Sequence, residues 1–254
     1  MRIATWNVNS LTVRLAQVLQ FAASEKPDVI ALQETKLTDD RCPLAEIEAA
    51  GYRAVFSGQK TYNGVALLAR GELLDVTQEL SGAPDPQRRW LAATVSGVRI
   101  IDVYVPNGES VDSPKYVYKL GWMERLREAI AAELEHHPGL VVLGDFNVAP
   151  EARDVHDPKE WEGQVLFSEP EREALRRVLS LGLHDVFRRF EQPEKEFSWW
   201  DYRMNAFRRN RGLRIDLILA SDALAARCTA SRIDKEPRRQ ERPSDHTPVI
   251  ADFA

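Results

Sequence analysis

The sequence predicts an α/β fold in which two β-sheets pack face to face with helices on the outside. Short runs rich in β-branched residues alternate with longer stretches whose apolar residues recur at helical spacing. Many neighbouring runs are separated by turn-forming residues rather than by a helix, which favours hairpins over a purely parallel sheet. Two sheets, each covered by its partner on one face and by helices on the other, would bury all of this apolar material.

Taken in order, the strand runs are Arg2–Val8, Val29–Glu34, Arg53–Ser57, Val65–Ala69, Trp90–Val95, Arg99–Val105, Leu140–Phe146, Arg214–Ala220 and Pro248–Phe253. The helical stretches are Val13–Ala23, Leu120–Leu134 and Glu169–Leu181. Two of the strand runs echo each other. Ile3-Ala4-Thr5-Trp6-Asn7-Val8 and Val142-Leu143-Gly144-Asp145-Phe146-Asn147-Val148 both end in a polar cluster with an Asn-Val pair, which hints at two similar halves and at polar side chains gathered at strand ends.

With 254 residues, 44% hydrophobic and 29% charged, the chain reads as a globular protein of ordinary composition. No Gly/Ser- or Pro-rich linker divides it, so a single domain over 1–254 is expected. A monomer is the working expectation, although nothing in the sequence fixes the oligomeric state. Apolar runs such as Leu140–Leu143 and Leu217–Ala220 are far too short to cross a bilayer. The first residues lack the apolar stretch of a signal peptide, and Cys42 and Cys228 fit no metal or redox spacing. Both observations suit a reducing cytoplasm. The net charge of −5 does not by itself favour a nucleic-acid partner. Its distribution matters more: from Arg203 to Arg214 there are five arginines (Arg203, Arg208, Arg209, Arg211, Arg214) and no acid. A basic rim around an acidic centre is compatible with a phosphate-backbone substrate, and a solvated Arg-rich loop would look the same.

Hydrolysing a phosphodiester near neutral pH requires an activated water, neutralised phosphoryl oxygens and help for the leaving oxygen. A hard divalent cation serves the second need and takes carboxylate or amide oxygens. Such oxygens stand at predicted strand ends in Asn7, Glu34, Asp145, Asn147 and Asp245. Each has an ordinary explanation as well, as a turn former or a solvated acid; their recurrence at strand ends is what singles them out as a set. His246 adjoins Asp245, and Asp216 on another strand is available to orient its ring. Tyr104 closes a strand just before Pro106-Asn107-Gly108. The segment Phe197-Ser198-Trp199-Trp200-Asp201-Tyr202-Arg203 sets aromatics beside arginines, a pairing that can stack on bases or sugars and meet phosphates, although some of these rings are expected in the core.

Read together, Thr5-Trp6-Asn7-Val8-Asn9, Leu32-Gln33-Glu34-Thr35-Lys36, Asn63-Gly64-Val65-Ala66, Tyr104-Val105-Pro106-Asn107-Gly108, Gly144-Asp145-Phe146-Asn147-Val148-Ala149-Pro150, Gly212-Leu213-Arg214-Ile215-Asp216 and Ser244-Asp245-His246 closely resemble the exonuclease III (abasic endonuclease) family of the endonuclease/exonuclease/phosphatase superfamily. The motifs follow the family's order and span nearly the whole chain. The resemblance implies a four-layer αββα sandwich of the DNase I-like kind, two mixed sheets flanked by helices. It implies Mg²⁺ or Mn²⁺ as cofactor and double-stranded DNA with abasic sites, nicks or blocked 3′ ends as substrate. Carried over position by position, Glu34 would be the principal metal carboxylate, assisted by Asn7 and Asp245. Asp145 would activate water and Asn147 would orient it, with either also able to ligate metal. His246, held by Asp216, would polarise a phosphoryl oxygen, and Tyr104 would meet the phosphate or the leaving group. Asn107, Trp199, Leu213 and Ile215 match positions near the target sugar, and Arg203 and Arg208 match backbone contacts.

The alternatives are a branch of the superfamily acting on inositol phosphates or sphingomyelin, and a non-catalytic nucleic-acid-binding regulator that kept the fold. The Trp199–Arg203 segment looks like the DNA-repair branch, and a regulator should lack part of the set Glu34, Asp145, Asn147, Asp216, Asp245 and His246, all present here. One departure from the family pattern stands out. Where many abasic endonucleases of this type have Gly or Ser, followed by Phe and then Pro two positions on, this chain has Leu166-Phe167-Ser168-Glu169-Pro170. Leu166 would either project toward the flipped sugar, favouring 3′-end processing over internal abasic cleavage, or turn inward and pack.

Overall fold

The structure is a computed structural model that describes residues 1–80 and 85–254. Two mixed six-stranded sheets form its centre. The first has the order β11-β12-β1-β2-β4-β3, from β1 (Arg2–Asn7), β2 (Val29–Gln33), β3 (Arg53–Ser57), β4 (Val65–Ala69), β11 (Cys228–Ile233) and β12 (Val249–Phe253). The second has the order β5-β6-β7-β8-β10-β9, from β5 (Leu74–Thr77), β6 (Trp90–Val95), β7 (Val98–Tyr104), β8 (Leu140–Asp145), β9 (Leu183–Asp185) and β10 (Asp216–Ser221). Each sheet has one parallel pair, β1–β2 and β7–β8; the other pairings are antiparallel.

Every residue of β2, β4, β8 and β10 is buried, because both faces of these strands are covered, and the sequence accordingly reads as continuous apolar runs. Ile3, Ala31, Leu67, Leu91, Ile100, Val141, Leu143 and Ile218 fill the space between the sheets. Outside the first sheet, α1 (Leu11–Glu25) and α2 (Leu44–Ala49) pack Val18, Phe21 and Ile47 against Trp6, Ile30 and Leu68. Outside the second, α3 (Pro114–His136) and α5 (Glu169–Leu179) pack Trp122, Leu126, Ile130 and Leu175 against Ile101, Val142 and Leu217. This is the expected αββα sandwich. Two short helices, α4 (Pro158–Trp161) and α6 (Asp222–Ala225), lie in connections. No helix among the described residues is long and apolar enough to cross a membrane.

The helix ends have local causes. Ser113 accepts a hydrogen bond from Lys115 N with Pro114 in the first turn, and Ser168 and Glu171 form a reciprocal capping box on α5. The helix expected from Leu120 therefore begins at Pro114; Val117 in its first turns is 72% exposed, so the apolar period was broken there. The three strands absent from the sequence reading, β5, β9 and β11, are all sheet edges. β5 is exposed throughout, β9 has three residues, and β11 is bulged between Cys228 and Ala230, so none carries an alternating pattern.

The two sheets share one strand order, which bears out two similar halves but corrects the echo that suggested them. Laid over one another, the orders equate β1 with β7 and β2 with β8, whereas the echo had matched β1 with β8.

Between the sheets lies one acid outside the site. Asp102 is fully buried; its Oδ1 accepts from Gln33 Nε2 at 2.7 Å, and its Oδ2 has no partner among the described residues. Burial holds its carboxyl well above the ordinary range, outweighing the hydrogen bond from Gln33. The folded chain thus keeps a proton that the unfolded chain releases above about pH 4, and stability is lost as pH rises from there, by about 1.4 kcal/mol per unit until the folded group ionises. Asp102→Asn removes that loss. Its melting temperature should exceed that of the parent by more at pH 8 than at pH 5; a gain that does not grow with pH would show that Asp102 is not held neutral.

Candidate active site

The candidate residues meet at one end of the sandwich because of strand polarity. Asn7, Glu34, Tyr104 and Asp145 stand at or just past the C-terminal ends of β1, β2, β7 and β8. Antiparallel pairing brings the start of β10 to the same end, with Asp216 opposite Asp145, and brings the segment before β12 there as well. The chain then turns sharply: Glu34 has φ 54° and Asn147 φ 49°. The left-handed region costs Asn little and Glu more, so Glu34 is held there by its surroundings. Val8 N on Gln33 O, Ser10 N on Glu34 O and Thr35 N on Gly64 O extend the ladder past the strands and supply that restraint.

Asn7 Nδ2 donates to both Glu34 Oε1 and Asp145 Oδ2, each at 2.9 Å, so one amide spans the seam between the sheets. Asp145 Oδ1 accepts from Asn147 N at 2.9 Å and Oδ2 from Asn147 Nδ2 at 3.2 Å. Asn147 Nδ2 also donates to Val105 O, and Asn147 Oδ1 accepts from Asn107 Nδ2 at 3.1 Å. His246 Nδ1 meets Asp216 Oδ2 at 2.9 Å and Oδ1 at 3.1 Å, while its Nε2 lies 3.6 Å from Asp145 Oδ2. Ser198 Oγ accepts from Ile215 N and Asp216 N, both at 3.1 Å, which fixes the backbone under that carboxylate. Asp245 stands slightly apart: Oδ1 accepts from Asn9 Nδ2 and Oδ2 from Trp199 Nε1, each at 3.0 Å. Tyr104 lines a cleft of about 760 Å³ with Gln59, Tyr62, Asn107 and Lys115, and the Arg89 guanidinium lies 4.5 Å from its ring centre.

The charges are arranged to divide protons unevenly. Burial pushes the Asp145 carboxyl up to about 7; Asp216 adds to the rise and His246 opposes it. Burial alone would lower the His246 imidazole, but Asp216 and Asp145 outweigh it and raise it to about 10. Burial, reinforced by the Glu34 charge, holds the Tyr104 phenol well above its usual range, so it remains a donor. The site therefore sets a cationic imidazole and a neutral phenol around a carboxyl that exchanges its proton near neutral pH.

One oxygen or nitrogen from each of Glu34, Asp145 and His246 lies within 4.8 Å of the others. Because Asp216 and Asp145 keep the His246 imidazole protonated on both nitrogens, the acceptors in this group are the two carboxylates, with Asn7 between them. A hard oxygen donor set of this kind fits a divalent cation such as magnesium. Asn7 here presents nitrogen to the acids, and turning the amide over would present Oδ1.

A family model described as the Endonuclease/Exonuclease/phosphatase family matches residues 4–246. Exodeoxyribonuclease III of Haemophilus influenzae is 34% identical over the full length of both chains. The chain belongs to this family, in its exonuclease III branch. Among solved structures, the 3′ phosphatase NExo from Neisseria, bound to a product DNA hairpin, is 49% identical with a TM-score of 0.98, covering 100% of this chain and 99% of that one. An AP endonuclease from Archaeoglobus fulgidus is 41% identical with a TM-score of 0.96 over the same shares. The family's nucleases are metal-dependent, and the Glu34 and Asp145 carboxylates beside His246 are the candidate ligands of this exonuclease III-family chain.

The expected DNA-contact residues of this family member are spread around that group. Asn107 is exposed beside it, and Trp199 is half-buried, tied to Leu213 by a β-bridge and to Asp245 by its indole. Leu213 and Ile215 are buried in a small apolar cluster with Ala149, Val155, Phe167 and Leu166. Trp200 and Phe197 form a separate core with Ala206 and Phe207, so those rings serve packing. The arginine stretch is less of a basic rim than its composition promised. Arg214 is fully buried between Asp154 and Asp185, Arg211 pairs with Glu160, and Arg203 with its neighbour Asp201. Arg208 and Arg209 are exposed. Asp201 is local, but the acids that withdraw Arg211 and Arg214 come from distant segments, which a local charge count does not see.

The sequence reading gave no role to Asn9 and Lys36, although both lie inside the quoted motifs. Lys36 Nζ is 3.0 Å from Glu34 Oε2 and also donates to Asn9 Oδ1. Arg89 and Lys119 were missed as well. Lys119 left a signal: it falls on the apolar stripe Tyr116, Met123, Leu126, Ile130 of α3, where a cation must be paired to be buried.

Proposed function

We propose that this chain is a divalent-metal-dependent DNA-repair nuclease that breaks the bond between phosphorus and a 3′ oxygen in duplex DNA and favours blocked or free 3′ ends over internal abasic sites. The observation that carries it is the convergence of Glu34 and Asn7 from one sheet with Asp145 and Asp216 from the other around His246. The reading takes 1–254 as one domain, a monomer acting in the cytoplasm. Glu34 would hold the ion, Mg²⁺ or Mn²⁺, with Asn7 and Asp145 the nearest further oxygens and Asp245 supporting through Asn9. The ion supplies charge neutralisation at the phosphate and stabilises the leaving 3′ oxygen.

The protein's own groups do the rest. Asp145 takes the proton of the attacking water, a role suited to a carboxyl that titrates near neutrality. Asn147, clamped through Val105 O and Asp145, aligns that water and the phosphate. The His246 imidazolium, locked by Asp216, meets a non-bridging oxygen as negative charge builds. Tyr104 donates toward the phosphate or the leaving oxygen. Water adds to phosphorus as the P–O3′ bond breaks, leaving a 3′ hydroxyl whether the substrate is a 3′ phosphate, a terminal nucleotide or an abasic strand.

Of the two orientations open to Leu166, the structure shows the inward one: it is 4% exposed and packs on the buried Leu213 and Ile215, so it does not project toward a flipped sugar. Its φ of 76° is unfavourable for so bulky a side chain, at a place where Gly would be unstrained. The bias toward 3′ ends is instead supported by the likeness to the 3′ phosphatase NExo, 49% identical. One purified sample should therefore release a 3′ phosphate at a nick faster than it cuts an internal abasic site or trims a recessed 3′ end, and a chelator should abolish all three. With Leu166 packed inward, Leu166→Gly should change the ratio of abasic cleavage to phosphate release by less than about threefold. A selective gain in abasic cleavage of about tenfold or more, the scale of one apolar side chain in a pocket, would show that Leu166 does obstruct the sugar.

A further inference from the structure

Lys119 is fully buried in the second turn of α3 and does not face the reacting groups, yet its ammonium touches two loops of the site and the first turn of α5. An ammonium has three protons and no acceptor. Here one goes to Asn107 O at 3.0 Å, in the loop after β7; one to Asn147 O at 2.6 Å, in the loop after β8; and one to Glu171 Oε1. Glu171, also fully buried, spends its remaining lone pairs on the loop that leads into α5: Oε1 accepts from Leu166 N at 3.0 Å, and Oε2 from Ser168 N at 3.0 Å and Ser168 Oγ at 2.5 Å. Tyr116 OH, one turn before Lys119 on the same helix, closes the circuit to Ser168 Oγ at 2.6 Å.

A buried ion pair contributes little net stability over an apolar pair of the same volume, so stability alone does not account for this one. Its geometry does. The backbone carbonyls of Asn107 and Asn147 and the backbone N–H of Leu166 are all referred to two atoms, Lys119 Nζ and one Glu171 oxygen. We propose that Lys119 and Glu171 are positioning residues that set the spacing between the Asn147 side of the site, where water and phosphate are aligned, and the Leu166 side, where the sugar is received. The proposal rests on the nuclease reading of the site. α3 acts as a rigid post: a helix packed over the second sheet cannot drift, so loops tied to it cannot drift relative to one another.

The test uses the full chain. Lys119→Met alone leaves Glu171 buried without a counter-charge and is expected to unfold readily. The informative variant is Lys119→Met with Glu171→Gln, which is neutral throughout and keeps an acceptor for Leu166 N. Folded, it should release a 3′ phosphate from a nicked duplex with kcat lowered at least about tenfold while KM changes by less than about threefold, the pattern of misplaced groups rather than lost substrate contact. Ser168→Ala is the control. It removes one bond to Glu171 Oε2 but none to Lys119, and should keep kcat within twofold despite a lower melting temperature. A folded double variant with kcat within twofold of the parent, or one that cannot fold although no charge is left unpaired, would overturn the positioning role in favour of a structural one. Failure of the nuclease reading is distinguishable, because the parent would then release no phosphate.

Discussion

Asp145→Asn should lower the turnover of 3′-phosphate release by at least about a hundredfold without disturbing the fold, and Glu34→Gln should do the same. Both substitutions preserve shape and remove charge. Asp145 accepts from Asn7, Asn147 N and Asn147 Nδ2, and an amide at that place retains one acceptor for these donors while losing the ability to take a proton from water. Glu34 lies in the left-handed region under restraint from Thr35 and Ser10, so Gln inherits its aim. The two losses should differ in one respect: raising the concentration of Mg²⁺ or Mn²⁺ should recover part of the activity of Glu34→Gln and none of that of Asp145→Asn. Near-normal turnover in Asp145→Asn, with its circular dichroism unchanged, would reject it as the base.

The second large effect is expected one residue earlier, and on the fold. Gly144 in β8 has φ 142°, and a Cβ there would stand 1.9 Å from Val103 O and 2.9 Å from Val103 C, both backbone atoms of the adjacent β7. No rotamer relieves a collision between a Cβ and the main chain, so Gly144→Ala must part β7 from β8 next to Asp145 and Tyr104. The expected cost exceeds about 4 kcal/mol, in the range of severe backbone and overpacking substitutions. That corresponds to a fall in melting temperature of about 10 °C or more for a chain of this size. A melting point within a few degrees of the parent would mean that the strands can separate there cheaply.

Much of this molecule was legible in its sequence. The central strands carried unbroken apolar runs because burial on both faces leaves no room for polar residues, and the site residues sat where those runs stopped. The order of motifs supplied the family, and with it the layer architecture. What was not legible depends on residues far apart in the chain. The edge strands β5, β9 and β11 are defined by pairing to a neighbour rather than by pattern. The ion pairs that withdraw Arg214 and Arg211 from the basic stretch involve Asp154, Asp185 and Glu160, which nothing local connects to them. The inward turn of Leu166 was an open alternative because its partners Leu213 and Ile215 lie almost fifty positions away. Asn7 was legible as an oxygen donor at a strand end, but not its role as the amide joining two acids across the seam, since only the packing of the sheets brings Asp145 to it.

The pairing of β1 with β12, which sets Arg2 opposite Asp252, has a consequence for how the molecule folds. Closing a loop of that length costs entropy that only the finished contact returns, so this pairing is expected late in folding. His246 arrives with the segment that leads into β12, and until it docks, Asp216 has no imidazole to hold and the β1 edge is unpaired. A partly folded chain with its second sheet complete already owns Asp145 and Asp216, yet it has no working centre. Competence to cut DNA is thus expected to arrive only with the last long-range step of folding.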